Sequence, residues 1–233
     1  MNRESAPVLR IPHPTSLPSI EAVLFDFDGT FADTAPDLAL ALNRQRAARG
    51  RPPLPLEQIR RVASSGARGL LKLGFDLAPG DAGYEAMRAE FLDFYEQGLC
   101  DGTRLFPGIE ELLGEIERRG LRWGIVTNKA SRFTLPLVKL LAMSERAACV
   151  ICGDSTPHLK PHPAPLLAAA VAIALAPGAC VYLGDDERDV HAARAAGMRA
   201  AVAGYGYLGN GAPPSEWPAD CWVDRPQDLL GYL

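Results

Sequence analysis

Residues 22–30 read Ala22-Val23-Leu24-Phe25-Asp26-Phe27-Asp28-Gly29-Thr30. A short apolar run that stops at a glycine-containing turn is the pattern of a buried strand. This one delivers two carboxylates, Asp26 and Asp28, to its carboxyl end. Carboxylates there are costly unless a cation pairs with them or a reaction uses them. The plainer alternative, a solvated acidic turn, has to be judged against the rest of the chain.

Short apolar runs recur at 22–27, 122–127, 148–152, 180–184, 199–203 and 221–224. Helix-period segments separate several of them, at 109–119, 132–142, 164–175 and 188–196. This alternation predicts an α/β fold with a parallel sheet covered by helices on both faces. Ligands in such sheets bind at the carboxyl ends of the strands. From Thr34 to about Phe106 the alternation stops, and amphipathic segments at 36–48, 57–72 and 82–97 predict an all-helical insertion, closed by Phe106-Pro107-Gly108. The expected organisation is a flexible Pro-rich leader over 1–20, a core from 21–33 and 107–233, and a helical cap over 34–106. An insertion placed straight after Asp26 and Asp28 would lie over them.

At 233 residues and 48% hydrophobic, the chain can bury a substantial core. A net charge of −4 gives no electrostatic reason to expect nucleic acid. The longest uncharged apolar stretch, Ala164 to Pro177, is too short to span a bilayer, and the first residues lack the apolar segment of a secretory signal. The expectation is a cytoplasmic protein with neither a nucleic-acid nor a membrane partner. The five cysteines form no framework, and the Cys149–Cys152 pair falls in a strand run that would point the two thiols to opposite faces.

Four strand ends carry suggestive residues. The first gives Asp26 and Asp28, and the second gives Thr127-Asn128-Lys129. Lys160 follows the third, in His158-Leu159-Lys160-Pro161, while the fourth gives Asp185 and Asp186, with Asp189 one helical turn on. Each has a bland reading, as a helix cap, a solvated lysine or an acidic helix start. Together they make a carboxylate cluster, a hydroxyl and a lysine around one spot. Such a set suits phosphoryl transfer. Hard oxygen ligands favour Mg²⁺, the ion lets a carboxylate approach a phosphate, and a lysine, a hydroxyl and turn N–H groups hold the phosphate oxygens.

DFDGTFAD, VTNK, LKPHP and GDDERD, in that order, resemble the four motifs of haloacid-dehalogenase-superfamily phosphatases, over roughly residues 21–225. The resemblance implies a Rossmann-like core with an inserted helical cap. It implies Asp26 as nucleophile forming an aspartyl-phosphate, and Asp28 as acid and then base. It further implies phosphate binding by Thr127, Lys160, Asn128 and the Asp28-Gly29 turn. Mg²⁺ would be held by Asp26, the Asp28 carbonyl and Asp185, with Asp189 in support and Asp186 as a further neighbour. Phe31 and His162 depart from the usual Leu and Asp, and neither removes a catalytic group. An acid at Asp28 argues against the dehalogenase branch, whose leaving halide needs no proton.

The segment DTAPDLALALNRQRAARGRPPL is similar to phosphoglycolate phosphatases. Val62-Ala63-Ser64-Ser65-Gly66-Ala67-Arg68, WGIVTNKASRF and Tyr205-Gly206-Tyr207 are closer to N-acetylmuramic acid 6-phosphate phosphatases. Both substrates carry a carboxylate besides the phosphate, so a cap cation is expected. Arg68 is the candidate, with Gly66 and Gly69 predicting a loop around it. The alternative is that Arg60, Arg61, Arg68 and Lys72 form a solvated basic face. Two other functions stay open: a sugar phosphomutase, which shares the motifs, and a phospho-acceptor signalling module. The second places its accepting Asp later and has no room for so large an insertion. The expected partner is a small-molecule phosphate ester, and the oligomeric state is not legible.

Overall fold

The computed structural model describes residues 19–209 and 211–233. The expected leader lies outside the described residues up to residue 18. Of its last two residues, Ile20 is buried and joins the core.

The chain opens with β1 (Ala22–Phe25) and β2 (Ala32–Asp33), then runs through α1 (Ala35–Ala47), α2 (Leu56–Arg60), α3 (Gly66–Phe75) and α4 (Tyr84–Gln97). It returns through β3 (Arg104–Leu105), α5 (Ile109–Arg118), β4 (Arg122–Val126), α6 (Ser131–Leu140) and β5 (Val150–Ile151). The last elements are α7 (Ala164–Ala172), β6 (Cys180–Gly184), α8 (Glu187–Ala196), β7 (Arg199–Ala203) and β8 (Cys221–Val223).

Six of these strands form one parallel sheet in the order β5-β4-β1-β6-β7-β8. β1 lies at its centre, with Phe25 opposite Ile125 of β4 and Leu183 of β6. Its strongly apolar sequence follows from burial on both faces. Val23 and Phe25 pack with Ile109, Leu112 and Ile116 of α5, whereas Leu24 packs with Leu166 of α7 and Val190 of α8. Burying one such side chain contributes about 1.5–3 kcal/mol. Phe31 stacks on Trp123 with centroids 5.6 Å apart and meets Phe25 edge-on at 5.6 Å, so the larger ring at this position fills core space directly behind the turn. The chain reverses strand order around β1, and the crevice outside the ends of β4, β1 and β6 is where such a sheet binds ligands.

The helices α1–α4 build their own apolar cluster around Leu42, Ile59, Leu70, Phe91 and Tyr95. Two features differ from the sequence reading. The expected helix over 57–72 is split into α2, a single 3-10 turn at Ala63–Ser65, and α3. The break ends at Gly66, with φ 58° and ψ −153°, a conformation open essentially to glycine. The irregular stretch therefore precedes Gly66, and Arg68 stands in the first turn of α3 rather than in a loop. In addition, β2 and β3 pair antiparallel where the chain leaves and rejoins the sheet, with Ala32 opposite Leu105 and Asp33 opposite Arg104. Asp37 pins the same junction by accepting from Gly102 N at 2.6 Å and Thr103 N at 3.0 Å. Among the described residues no helix is long and apolar enough to cross a membrane. The five cysteines are free thiols.

Candidate active site

Parallel register brings the predicted residues together. Asp26 follows β1, Thr127 follows β4 and Asp185 follows β6, all at the same edge of the sheet. Carboxylate oxygens of Asp26, Asp185 and Asp189 lie within 4.8 Å of one another, and all three residues are buried. Burial, followed by the charges of Asp26 and Asp189, pushes the Asp185 carboxyl well above the usual carboxylate range. Asp189 is pushed up to about 7, burial outweighing the relief from Lys160. The donors are all hard oxygens with an unmet demand for positive charge, the set that fits a Mg²⁺-type cation.

Lys160 supplies one counter-charge. Its Nζ donates to Asp26 Oδ1 at 2.8 Å and to the Tyr182 hydroxyl at 2.7 Å, and lies 2.8 Å from Asp189 Oδ1. Although burial pulls its pKa down, Asp189 and Asp26 hold the ammonium above its ordinary value. Asn128 grips the lysine's backbone on both sides: Lys160 N donates to Asn128 Oδ1 at 2.9 Å and Asn128 Nδ2 donates to Lys160 O at 3.0 Å. The side chain of Asn128 is thus spent on placing Lys160, leaving only its backbone to face a phosphate.

Asp28 is held separately. Thr34 Oγ1 donates to its Oδ1 at 2.5 Å, and Lys129 Nζ donates to Oδ1 at 3.0 Å and Oδ2 at 3.2 Å. The Lys129 side chain is only 8% exposed, and its ammonium lies 4.6 Å from the Tyr95 ring centroid. Nothing in the sequence pattern around Lys129 assigns it a role. Only the fold reveals that it faces Asp28 and Tyr95.

Asp185 accepts from Thr30 Oγ1 at 3.1 Å, Ser64 Oγ at 3.0 Å and Tyr207 N at 2.9 Å. Gly29, at φ 87°, passes so close that any Cβ there would strike Asp185 Oδ2. Asp186 lies apart from the cluster. Its side chain caps α8 by accepting from Arg188 N at 3.0 Å and is paired with Arg188 Nε at 2.7 Å. At His162, Nδ1 accepts from Ala164 N at 3.1 Å, a turn contact that an Asp would also make.

The basic stretch 60–72 divides. Arg60 pairs with Asp33 at 2.6 Å, and Lys72 pairs with Asp76 on the surface. Arg68 is exposed and lines a cavity of about 710 Å³ together with Asp26, Asp28, Thr127 and Lys160.

The profile of the haloacid dehalogenase-like hydrolases matches residues 23–203. An N-acetylmuramic acid 6-phosphate phosphatase of Pseudomonas aeruginosa is 41% identical over 214 residues, 92% of this chain and 95% of that protein. A phosphoglycolate phosphatase of Xanthomonas campestris pv. campestris is 44% identical over 208 residues, 89% and 94% of the two chains. A solved chain from Haemophilus somnus superposes with a TM-score of 0.80 at 24% identity, covering 91% of this chain and 97% of that one, which speaks for the fold. These matches make the chain a hydrolase, a class that the sheet and its acidic cluster fit. The chain belongs to the haloacid dehalogenase-like hydrolase family, among its phosphatases.

Proposed function

We propose that the protein is a cytoplasmic, Mg²⁺-dependent phosphomonoester hydrolase acting through an aspartyl-phosphate. Asp26 attacks the phosphorus and the ester oxygen departs, taking its proton from Asp28. Asp28 then draws a proton from the water that opens the acyl phosphate. Thr34 and Lys129 hold Asp28 in one orientation for both steps. Lys160 and the Thr127 hydroxyl, with the backbone N–H of Asn128, receive the phosphate oxygens. The Gly29 N–H, expected to join them, instead donates to Ala32 O at 3.1 Å and so shapes the turn rather than holding the phosphate. Asp26, the main-chain carbonyl of Asp28 and Asp185 would hold Mg²⁺, with Asp189 supporting. When bound, the ion offsets the repulsion between carboxylate and phosphate. Asp186 is committed to Arg188 and is left out of this set.

Residues 21–33 and 107–233 act as the catalytic core, and 34–106 as a cap over it. The substrate is a small phosphate ester bearing a carboxylate, phosphoglycolate or N-acetylmuramic acid 6-phosphate. Arg68 supports this reading as a cation that lines the cavity with no carboxylate partner among the described residues. The single observation that carries the proposal is the meeting of Asp26 and Asp185, at the ends of the adjacent strands β1 and β6, with Asp189 of α8 and Lys160. In Asp26→Asn, turnover of para-nitrophenyl phosphate should fall to background while the circular dichroism spectrum stays native. Appreciable residual turnover would sink the nucleophile assignment.

A further inference from the structure

The cations lining the main cavity fall into two groups. Lys160 is matched to Asp26 and Asp189, Lys129 to Asp28, and Arg188 to Asp186. Arg68 and Arg132 have no carboxylate partner among the described residues, and Arg88 comes only within 4.0 Å of Glu85; of these, Arg132 is the one joined to the aromatic residues beside Asp28. Arg132 is exposed, and its guanidinium lies over the Phe133 ring, 4.3 Å from the centroid. Phe133 meets Tyr95 with centroids 5.3 Å apart, and Tyr95 carries Lys129, which bonds Asp28. A continuous aromatic wall thus leads from the carboxyl group that protonates the leaving oxygen to an uncommitted arginine. Leu38, Tyr84 and Phe91 also line the cavity, so its helical side is largely apolar.

We propose that this wall is the leaving-group subsite. It takes a ring-bearing leaving group, a hexose or larger, whose apolar face lies on Tyr95 and Phe133 and whose second anion is bound by Arg132. The inference rests on the phosphatase reading above and narrows its substrate. A cavity of about 710 Å³ belongs with those of ~300–1,000 Å³ that enclose drug-sized ligands. A two-carbon glycolate has no ring face to lay on Tyr95 and Phe133. A sugar bearing a carboxylate has both the face and the anion, and guanidinium–carboxylate pairing is the strong, geometrically selective contact for that anion. Arg132 and Phe133 close the stretch WGIVTNKASRF, whose last four residues, 130–133, the catalytic roles leave unused.

The test compares three esters: N-acetylmuramic acid 6-phosphate, N-acetylglucosamine 6-phosphate, which has the same ring without the lactyl carboxylate, and phosphoglycolate. Wild-type kcat/KM should favour the first over the second by roughly ten- to hundredfold, the scale of one charged contact. Arg132→Ala should remove most of that preference, with a far smaller effect on the other two esters, and Arg132→Lys should restore part of it. An equal fractional loss on all three, or a wild-type preference for phosphoglycolate over both sugars, would overturn the subsite. A wild type inactive on all three and on para-nitrophenyl phosphate would overturn the phosphatase reading itself, and the subsite with it. Arg132 is exposed, so thermal melting of both variants should match wild type; an Arg132→Ala that melts earlier while Arg132→Lys keeps the full preference would reassign the residue to structure.

Discussion

The strand-end cluster and the helical wall above it treat charge in opposite ways. At the strand ends each cation is committed to a carboxylate: Lys160 to Asp26 and Asp189, Lys129 to Asp28, and Arg188 to Asp186. These groups are largely buried, and leaving any of them unpaired would carry a large desolvation penalty. Along the wall, Arg68 and Arg132 are exposed and face the cavity without carboxylates. A constellation locked by its own pairs can perform one chemistry on any phosphate. A wall with uncommitted cations and aromatic faces can choose what that phosphate is attached to.

Tyr207 is where the two regions are joined, which makes it the place to break the contrast. Its hydroxyl accepts from Thr34 N at 2.8 Å and Ala35 N at 2.9 Å and donates to Asp33 Oδ1 at 2.8 Å, while its own N–H holds Asp185. Arg60 lies over the ring, 5.6 Å from the centroid. Burial pushes the phenol up, so it remains a donor throughout the neutral range. Tyr207→Phe strips partners from two buried N–H groups at the start of α1, a loss of about 1–3 kcal/mol. For a chain of this size that lowers Tm by roughly 2–4 °C per kcal/mol. The variant should be cut by protease faster within 34–106 than in the sheet. Uniform acceleration across the chain would show that the residue merely stabilises the whole.

A smaller effect is expected from the strand-end carboxylates. Asp185 is held well above the ordinary carboxylate value by burial, and Asp189 is raised to about 7. Groups with raised folded values keep their stabilising protons below about pH 4 and lose them as pH rises through the folded value, about 7 for Asp189. The free protein should therefore lose stability across that window, and Mg²⁺ should restore it. The Tm gain on adding Mg²⁺ should be a few degrees at about pH 8 and close to nothing at about pH 5. Equal gains at both would place the bound ion outside the cluster.

The sheet and its strand ends were legible because buried parallel strands must be apolar throughout, so each acidic or hydroxyl residue at their ends stands out. Helix positions in 34–106 were legible from periodicity, but the break before Gly66 was not. Arg60, Ser64 and Arg68 take up separate duties there through contacts with Asp33, Asp185 and the cavity, which no local pattern encodes. The pairing of β2 with β3 is only two residues long on each side, too short for any alternation to register. Lys129 and Tyr207 were visible as motif residues, yet their partners are 101 and 173 residues away. Such matches are set by tertiary geometry.

In the proposed reaction Asp26 carries the phosphoryl group. Rapid acid quench of wild type turning over N-acetylmuramic acid 6-phosphate, followed by peptide mass mapping, tests it most directly. The prediction is one phosphoryl adduct on the peptide containing Asp26, absent in Asp26→Asn. An adduct on another residue, or undiminished turnover by Asp26→Asn, would contradict it.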